Sequence, residues 1–286
     1  MCRLFGFRSV LESQVHKSLL SADNALAVQS AAHPDGWGVA YYVAGAPHVL
    51  KSVGAARHNT LFQRVGGIMS SQTVLAHIRK ATQGELSMLN CHPFQHGRWV
   101  MAHNGDVPSF SQHRAALMER VAPLVRRYIL GDTDSELIFH LFLTHLSDEA
   151  ELTRRGTPLP AVVRALRRTV ALVREVCDGD TPAERSLLTL MVTDGELLAA
   201  HQGGRELHFS TYKARCPERT LCPFFSPECE APPKSGHVNH LILTSEPLQG
   251  ENIWTPLREG EIAAVDHAMR FVHLGAGEGW VRVGGR

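Results

Sequence analysis

The sequence predicts an α+β protein in which layers of antiparallel sheet carry helices on their outer faces. Short β-rich runs fill the first third of the chain, helical patterns occupy the middle, and β-rich runs return after residue 185. The chain has neither a regular alternation of strands and helices nor a Gly-rich loop between a strand and a helix. A dinucleotide-binding fold is therefore disfavoured. We expect one domain over residues 2–286, a length that is ample for a full core.

The β-rich segments of the first part are separated by turn residues and by one predicted helix. An apolar run near the N-terminus is typical of a buried strand, and residues 14–32 follow as a predicted helix. Gly45, Ala46 and Pro47 interrupt the next β-rich segment and predict a hairpin. The predicted strands of this part are residues 4–7, 37–42, 48–53, 73–77 and 98–102.

Two helices are predicted in the middle of the chain. Thr133 and Glu136 match a capping box, with Thr133 at the N-cap of a helix that ends near residue 146. Over residues 159–177 the apolar positions follow spacings of three and four and form one face of a second helix. Its arginines fall largely off that face, which indicates a solvated surface.

Strands dominate the remainder of the chain. An Asp-Gly turn at residues 194–195 joins two β-rich runs and predicts a hairpin. Residues 213–236 are rich in Pro, Cys and charge, and we expect them to form an irregular insertion. The predicted strands of this part are residues 186–192, 196–201 and 240–244, with two more inside residues 261–274.

The charge balance argues against several kinds of partner. Lys and Arg total 29 against 28 Asp and Glu, so the net charge is +1. Such a chain has no overall field for binding nucleic acid or a membrane surface. No run approaches the ~20 apolar residues of a membrane-spanning helix, and the N-terminus lacks the pattern of a secretory signal. We therefore expect a cytoplasmic protein whose six cysteines remain thiols.

Cys2 has the most informative chemistry. Removal of Met1 would leave a thiol and a free α-amine on one Cα. An α-amine has an ordinary pKa of about 7.7–8.0, so it is partly neutral at pH 7 and can act as a base. A nucleophile that carries its own base needs no separate His or Asp. The position alone also fits a small apolar residue at the start of a strand.

Three further segments carry residues suited to one chemistry. Arg79 ends a β-rich run and can bind a carboxylate through two parallel hydrogen bonds. Asn104 and Gly105 offer an amide and a closely approachable backbone N–H, a pair that can stabilise an oxyanion. Asp134 lies in the first turn of the capped helix and can bind an ammonium group. Each segment taken alone also has a simpler explanation. Arg79 could form a surface ion pair, and Asn104 with Gly105 could form a tight turn. Asp134 could interact favourably with the helix dipole.

Together these residues lie in segments that resemble the class II glutamine amidotransferases, which are N-terminal nucleophile hydrolases. The matching segments are residues 1–6, 77–82, 90–94, 103–105 and 133–136. Residues 33–38 and 244–248 are similar to a stand-alone subgroup that includes a γ-glutamyl hydrolase of the ergothioneine pathway and a glutathione-degrading amidotransferase subunit. The resemblance covers nearly the whole chain.

The resemblance implies a fold and a catalytic centre. The fold would be a four-layer α/β/β/α sandwich of two antiparallel sheets. Cys2 would be the nucleophile, with its α-amine as the base, and this requires removal of Met1. Asn104 and Gly105 would form the oxyanion hole.

The resemblance also implies a substrate site for a γ-glutamyl group. Arg79 and Thr82 would hold its α-carboxylate, and Asp134 its α-ammonium group. His103 is expected beside the substrate. Trp37 either forms a wall of the pocket, which the subgroup resemblance favours, or belongs to the core of a strand.

The implied reaction is cleavage of a γ-glutamyl amide, either glutamine or a γ-glutamyl conjugate, through a thioester. Because the sequence has no acceptor domain of the kind found in large synthases, we expect hydrolysis, or else delivery of ammonia to a separate synthase-like partner. An inactive domain that binds a glutamyl metabolite is a further alternative, and a homodimer fits as well. No cofactor is expected.

The other cysteines give no clear metal pattern. Cys216, Cys222 and Cys229 are irregularly spaced without a Cys-x-x-Cys pair, so free thiols are favoured over a zinc site. Cys91 precedes His92, but neighbouring residues of a strand face opposite sides, so they are a poor catalytic pair. We therefore predict no metal site.

Overall fold

The computed structural model describes residues 2–217, 219–232 and 236–277. Its strands are, in chain order, β1 (Arg3–Gln14), β2 (Gly36–Val43), β3 (Ala46–Ser52), β4 (Ser70–Arg79), β5 (Phe94–His96), β6 (Trp99–Asp106), β7 (Leu187–Thr193), β8 (Leu198–His201), β9 (His208–Ser210), β10 (His240–Thr244), β11 (Thr255–Pro256), β12 (Ile262–Val265) and β13 (Phe271–Leu274). The α-helices are α1 (Leu26–Gln29), α2 (Thr60–Ile68), α3 (Phe110–Glu119), α4 (Pro123–Arg126), α5 (Asp134–Ser147) and α6 (Leu159–Cys177). Shorter helical turns lie at Lys17–Ser21, Ser30–Ala32, Ala56–His58, Pro182–Glu184 and Pro227–Cys229.

The strands form two antiparallel sheets. The first has the order β11-β9-β10-β1-β4-β2-β3, and the second has the order β13-β12-β8-β7-β6-β5. Alternate side chains of each strand point to opposite faces of its sheet. Leu4 and Leu75 of the first sheet therefore meet Ala102 and Met191 of the second in one buried cluster between the sheets.

Helices cover the outer face of each sheet. Apolar residues of α1 and α2, including Phe62, pack with Phe5 of β1 on the outside of the first sheet. On the outside of the second sheet, α3, α5 and α6 bury a larger cluster that includes Phe139 and Leu166. The predicted four-layer α/β/β/α sandwich is confirmed. No helix in the described ranges is long and apolar enough to span a membrane.

The two predicted helices of the middle region are confirmed. Thr133 caps α5, because its hydroxyl accepts a hydrogen bond from the Glu136 backbone N–H at 3.2 Å. This is one half of the expected capping box. The other half is not formed, because the Glu136 carboxylate accepts instead from the N–H groups of Leu130 and Gly131, at 3.0 and 2.6 Å. The second helix, α6, has the predicted bounds and buries its apolar face.

The continuous helix predicted for residues 14–32 was wrong. β1 continues to Gln14 by pairing with the start of β4 after a register shift, and three short helical pieces follow. The side chain of Asn24 lies between these pieces, donates to the Pro247 carbonyl and accepts from the Gln249 N–H, both at 2.9 Å. Contacts with a distant segment thus interrupt a local helical pattern. Helices α2 and α3 were not predicted, although Asn59 caps α2.

Residues 213–236, which the sequence predicts to be an irregular insertion, lie between β9 and β10. Among the described residues of this segment, the helical turn Pro227–Cys229 and a single bridge between Lys213 and Asn252 are the regular features. Cys216, Cys222 and Cys229 are free thiols. No cluster of metal-ligating side chains occurs in the part of the chain that the structure describes.

Gly38 of β2 allows the two sheets to approach each other near the pocket. A Cβ at this position would lie 2.0 Å from the His92 carbonyl oxygen, which is backbone and cannot easily move. We expect Gly38→Ala to lower the free energy of unfolding by about 1–3 kcal/mol, as overpacking does. Chemical denaturation measures this change.

Gly67 is the control for that substitution. It is exposed in α2, and nothing lies within 4 Å of its added Cβ. Gly67→Ala should stabilise the protein by about 0.5–1 kcal/mol through helix propensity. Equal effects of the two variants would contradict the proposed steric role of Gly38.

Candidate active site

A pocket lies where the start of β1, the end of β4, the end of β6 and the N-terminus of α5 meet. Its lining includes six residues that the sequence analysis singled out: Cys2, Arg79, Thr82, His103, Gly105 and Asp134. Sequence reasoning assigned no site role to the other lining residues, among them Lys80, His92 and Ser135. The fold therefore brings together side chains from four separate segments.

The Cys2 thiol is held at the edge of the first sheet. Its Sγ lies 3.3 Å from both the backbone N–H and the carbonyl of Lys80, so it accepts from one and donates to the other. Burial raises the pKa of this thiol, while the Lys80 hydrogen bond and the nearby Arg79 charge act in the opposite direction. The resting thiol is thus protonated and needs a base. Met1, whose removal was predicted, lies outside the described residues.

Arg79 is buried and organises the loop that follows β4. Its Nη2 donates to the Gln83 carbonyl at 2.8 Å, and its Nη1 donates to the Glu85 carbonyl at 3.2 Å. A guanidinium group has five N–H donors, so further donors remain for a ligand carboxylate. Thr82 lies in the same loop and lines the pocket.

Asn90 ties this loop to the segment before α5. Its amide donates to the Glu85 carbonyl at 3.0 Å and to Asp132 Oδ1 at 2.5 Å, and its Oδ1 accepts from the Asp132 N–H at 3.2 Å. Sequence reasoning had noted Asn90 only as part of a motif. Asn90 therefore links the loop after β4 to the segment before α5 through direct hydrogen bonds to both.

A buried hydrogen-bond network links Asp134 to His103. Asp134 Oδ1 accepts from both the N–H and the hydroxyl of Ser135, at 2.7 and 2.9 Å, and its Oδ2 accepts from the Val107 N–H at 3.0 Å. The Ser135 hydroxyl also lies 2.9 Å from His103 Nδ1. His103 Nε2 lies 2.8 Å from the Leu187 carbonyl, which can only accept, so Nε2 carries a proton. Ser135 therefore connects the acidic and the imidazole side chains.

Asn104 and Gly105 lie near the end of β6, where they pair with Thr189 and Leu188 of β7. The Asn104 amide is buried and donates to Ser245 Oγ at 3.4 Å, while Ser245 Oγ accepts from the Leu4 N–H at 2.9 Å. A Cβ on Gly105 would lie 1.6 Å from the Leu187 carbonyl, so only glycine fits there. Ser245 belongs to a segment noted in the sequence, but its contact with Asn104 was not foreseen.

Trp37 does not lie among the pocket residues. Its side chain is fully buried on the outer face of the first sheet, edge-on to Phe62 at 5.1 Å between ring centroids. The alternation of side chains along β2 turns it toward α2. The sequence allowed Trp37 to be either a core residue of the strand or a wall of the pocket. Its placement fits the core residue and gives no support to the pocket wall.

His77 lies in contact with His92, one of the residues that line the pocket. Their ring centroids are 4.1 Å apart, and burial lowers the pKa of His77 to about 3 and that of His92 well below its usual range. Both rings are therefore neutral. The neighbouring Cys91 has different contacts, since its Sγ lies 3.4 Å from the Ser87 carbonyl. Cys91 and His92 do not act as a pair.

The sequence matches the family of class-II glutamine amidotransferases over residues 1–273. The chain belongs to this family. A Saccharomyces cerevisiae protein named "Probable glutamine amidotransferase DUG3" is 30% identical over 196 residues, which are 62% of this chain and 55% of that protein. A "Gamma-glutamyl-hercynylcysteine sulfoxide hydrolase" of Mycobacterium tuberculosis is 34% identical over 119 residues, which are 37% of this chain and 50% of that protein. The aligned regions are thus about half of each relative.

The structural comparison agrees on the fold. A glutamine aminotransferase class-II domain protein from Silicibacter pomeroyi superposes with a TM-score of 0.63 at 22% identity, and the match covers 96% of this chain and 98% of that chain. The resemblance predicted from the sequence is thereby confirmed for both family and fold.

The buried histidines make stability depend on pH. Burial lowers the pKa of His77 to about 3 and those of His201 and His240 to about 4, whereas an unfolded histidine titrates near 6.5. Below pH 6.5 the unfolded chain therefore binds more protons, and stability falls. When the pH is lowered from 7.5 to 5.5, we expect each such histidine to reduce the free energy of unfolding by about 1 kcal/mol. Denaturant titrations at both values measure this.

A pair of variants separates this effect from general acid sensitivity. His240→Gln should reduce the pH dependence by the contribution of one histidine, while substitution of the exposed His58 by Gln should leave it unchanged. Stability that is constant or higher at pH 5.5 would show the assignment of neutral buried histidines to be wrong.

Proposed function

We propose that this protein hydrolyses γ-glutamyl amides, either glutamine or a γ-glutamyl conjugate, through a thioester on Cys2. The observation that carries the proposal is that a thiol, a guanidinium group and a carboxylate line one pocket, on Cys2, Arg79 and Asp134. The head of a γ-glutamyl group has one carboxylate, one ammonium group and one scissile carbonyl. These groups are complementary to the three side chains in charge and chemistry.

The glutamyl head is bound by charge-assisted hydrogen bonds. Arg79 and Thr82 receive the α-carboxylate, and Asp134 receives the α-ammonium group. Asp134 accepts three hydrogen bonds within the protein, and a carboxylate has about four acceptor sites. One acceptor site therefore remains for the ammonium group. His103 contacts the Ser135 hydroxyl, which in turn contacts the Asp134 carboxylate and helps to hold it in place.

The reaction begins with the transfer of the thiol proton to the α-amine that the removal of Met1 exposes. The sulfur attacks the γ-carbonyl carbon, and the oxyanion is stabilised by the Asn104 amide and the Gly105 N–H, each worth about 3 kcal/mol. The C–N bond breaks as the leaving amine takes the proton from the α-amine. Water then attacks the thioester, which releases glutamate and regenerates the thiol.

Hydrolysis is favoured over ammonia transfer by the similarity to the mycobacterial hydrolase. The substrate is then a small molecule, and neither nucleic acid nor a membrane is a partner. We place the reaction in the cytoplasm, where the Cys2 thiol stays reduced. A homodimer, or a synthase-like partner that accepts the ammonia, is compatible with this chemistry.

Substitution of the nucleophile tests the proposal directly. Cys2→Ala should lower glutamate release from glutamine and from γ-glutamyl amides by at least about 10³-fold, because no second thiol is among the described residues that line the pocket. Mass spectrometry verifies the loss of Met1, and Cys222→Ala is the control for removal of a thiol elsewhere. Binding without release by the processed wild type would favour the inactive glutamyl-binding domain, and full activity of Cys2→Ala would exclude the thioester.

Ser135 is expected to be a positioning residue. Ser135→Ala removes the hydroxyl that joins Asp134 to His103 but keeps the backbone hydrogen bond to Asp134. We expect kcat/KM for glutamine to fall about tenfold, the cost of one hydrogen bond to a charged group. Glutaramate, which lacks the α-ammonium group, should lose less, and Ser135→Thr should restore activity. An equal loss for both substrates would indicate a general structural effect instead.

A further inference from the structure

The Cys2 sulfur is held by two consecutive peptide groups at the end of β4. In the first, between Arg79 and Lys80, the Lys80 N–H donates to Sγ at 3.3 Å. In the second, between Lys80 and Ala81, the Lys80 carbonyl accepts from Sγ, also at 3.3 Å. β4 ends at Arg79, so the second peptide group lies outside the regular strand. Its orientation therefore depends on contacts other than the sheet ladder.

Asp35 binds the same two peptide groups. Its N–H donates to the Arg79 carbonyl of the first group at 3.2 Å, and its Oδ2 accepts from the Ala81 N–H of the second group at 2.8 Å. The C=O and the N–H of a trans peptide group point in opposite directions. Asp35 and Cys2 therefore contact these two groups from opposite sides.

Strand register explains why the two residues reach the same place. β4 lies between β1 and β2 in the first sheet. The first residues of β1 and β2 pair with Ile78 and Arg79, at the end of β4. Because Cys2 directly precedes β1 and Asp35 directly precedes β2, the two residues flank the segment that follows β4.

The Asp35 carboxylate gives the second peptide group a firm contact. A hydrogen bond to a carboxylate is roughly twice as strong as one between neutral groups. Lys80 is exposed, and the backbone on either side of a peptide group turns easily about φ and ψ. Without the carboxylate, the second peptide group would be free to turn, and the Lys80 carbonyl would move away from the sulfur.

We infer that Asp35 is a positioning residue for the Cys2 nucleophile, which it holds through the backbone of Lys80 without touching the substrate. The inference rests on the proposed function. Asp35 belongs to residues 33–38, a segment that resembles the stand-alone subgroup, and the proposed function uses none of the side chains of this segment.

The two peptide groups suit the two protonation states of the sulfur. The thiol donates to the Lys80 carbonyl, which can only accept. After the thiol proton has moved to the α-amine, the Lys80 N–H still donates to the thiolate, and a hydrogen bond to an ionised group is the stronger kind. Because Asp35 binds both peptide groups, it holds the sulfur in place before and after the proton transfer.

Removal of the carboxylate tests the inference. Asp35→Ala should lower kcat for glutamine by about 10- to 100-fold, because a misplacement of about 1 Å can cost 10²-fold in rate. KM should change by less than about threefold, since the proposed contacts of the glutamyl head with Arg79, Thr82 and Asp134 remain. Steady-state release of glutamate by the processed enzyme measures both constants.

Two conservative variants separate anchoring from charge, and they also serve if Asp35→Ala does not fold. Asp35→Asn keeps an acceptor oxygen at the same distance from the backbone, so kcat should stay within about threefold of the wild type. Asp35→Glu keeps the charge but moves the acceptor by one methylene, and its kcat should fall below that of Asp35→Asn. The reverse order would show that the charge acts and would overturn the anchoring role.

Asp178→Ala is the matched control for the loss of one carboxylate contact. Asp178 is half-buried like Asp35, does not line the pocket, and accepts from the Ser186 N–H at 2.7 Å. Its loss should lower the free energy of unfolding as Asp35→Ala does, but kcat should change by less than about twofold. An equal fall in kcat for both variants would identify a general structural effect and contradict the inference.

The outcomes separate the inference from the proposed function. If the processed wild type releases glutamate and Asp35→Ala matches it in kcat, the positioning role is overturned and hydrolysis stands. If the processed wild type releases no glutamate from glutamine or from γ-glutamyl amides, the proposed function is overturned and the inference with it.

Discussion

The pairing of β1 with β4 positions the Cys2 thiol relative to the Arg79 guanidinium group, and the other site residues are arranged around these two. Arg3 pairs with Ile78 and Leu4 with His77, so the first residue before β1 lies beside the last residues of β4. A slip of one residue would turn every side chain of the strand to the opposite face. Because β10 flanks β1 and β2 flanks β4, the pair is held inside the sheet. The backbone ladder thus sets the separation of the thiol and the guanidinium group.

The second sheet supplies the opposite half of the pocket, and side-chain hydrogen bonds join the halves. Ser245 connects the Asn104 amide to the Leu4 backbone, so the end of β6 is tied to the beginning of β1. Asp134 connects α5 to the backbone that follows β6. These contacts are buried, where a hydrogen bond is stronger and the loss of a partner is costlier. The proposed oxyanion site and the proposed ammonium site are therefore each tied by buried hydrogen bonds to the end of β6.

Much of the fold could be predicted from the sequence because several signals are local. The periodicity of α6 and the Thr133 cap of α5 depend only on neighbouring residues, and both helices begin where expected. The helix predicted for residues 14–32 failed because Asn24 bonds to the segment around Pro247, more than two hundred positions away. No local pattern contains that contact.

The chemical groups of the site could be read from local sequence: a thiol at Cys2, a guanidinium group at Arg79 and a carboxylate at Asp134. The other residues that join them depend on the folded chain, because strand register and the packing of two sheets bring together segments that are distant in the sequence. Trp37 was turned into the core by the alternation of β2. Ser135 was brought against His103, since the N-terminus of α5 packs at the end of β6.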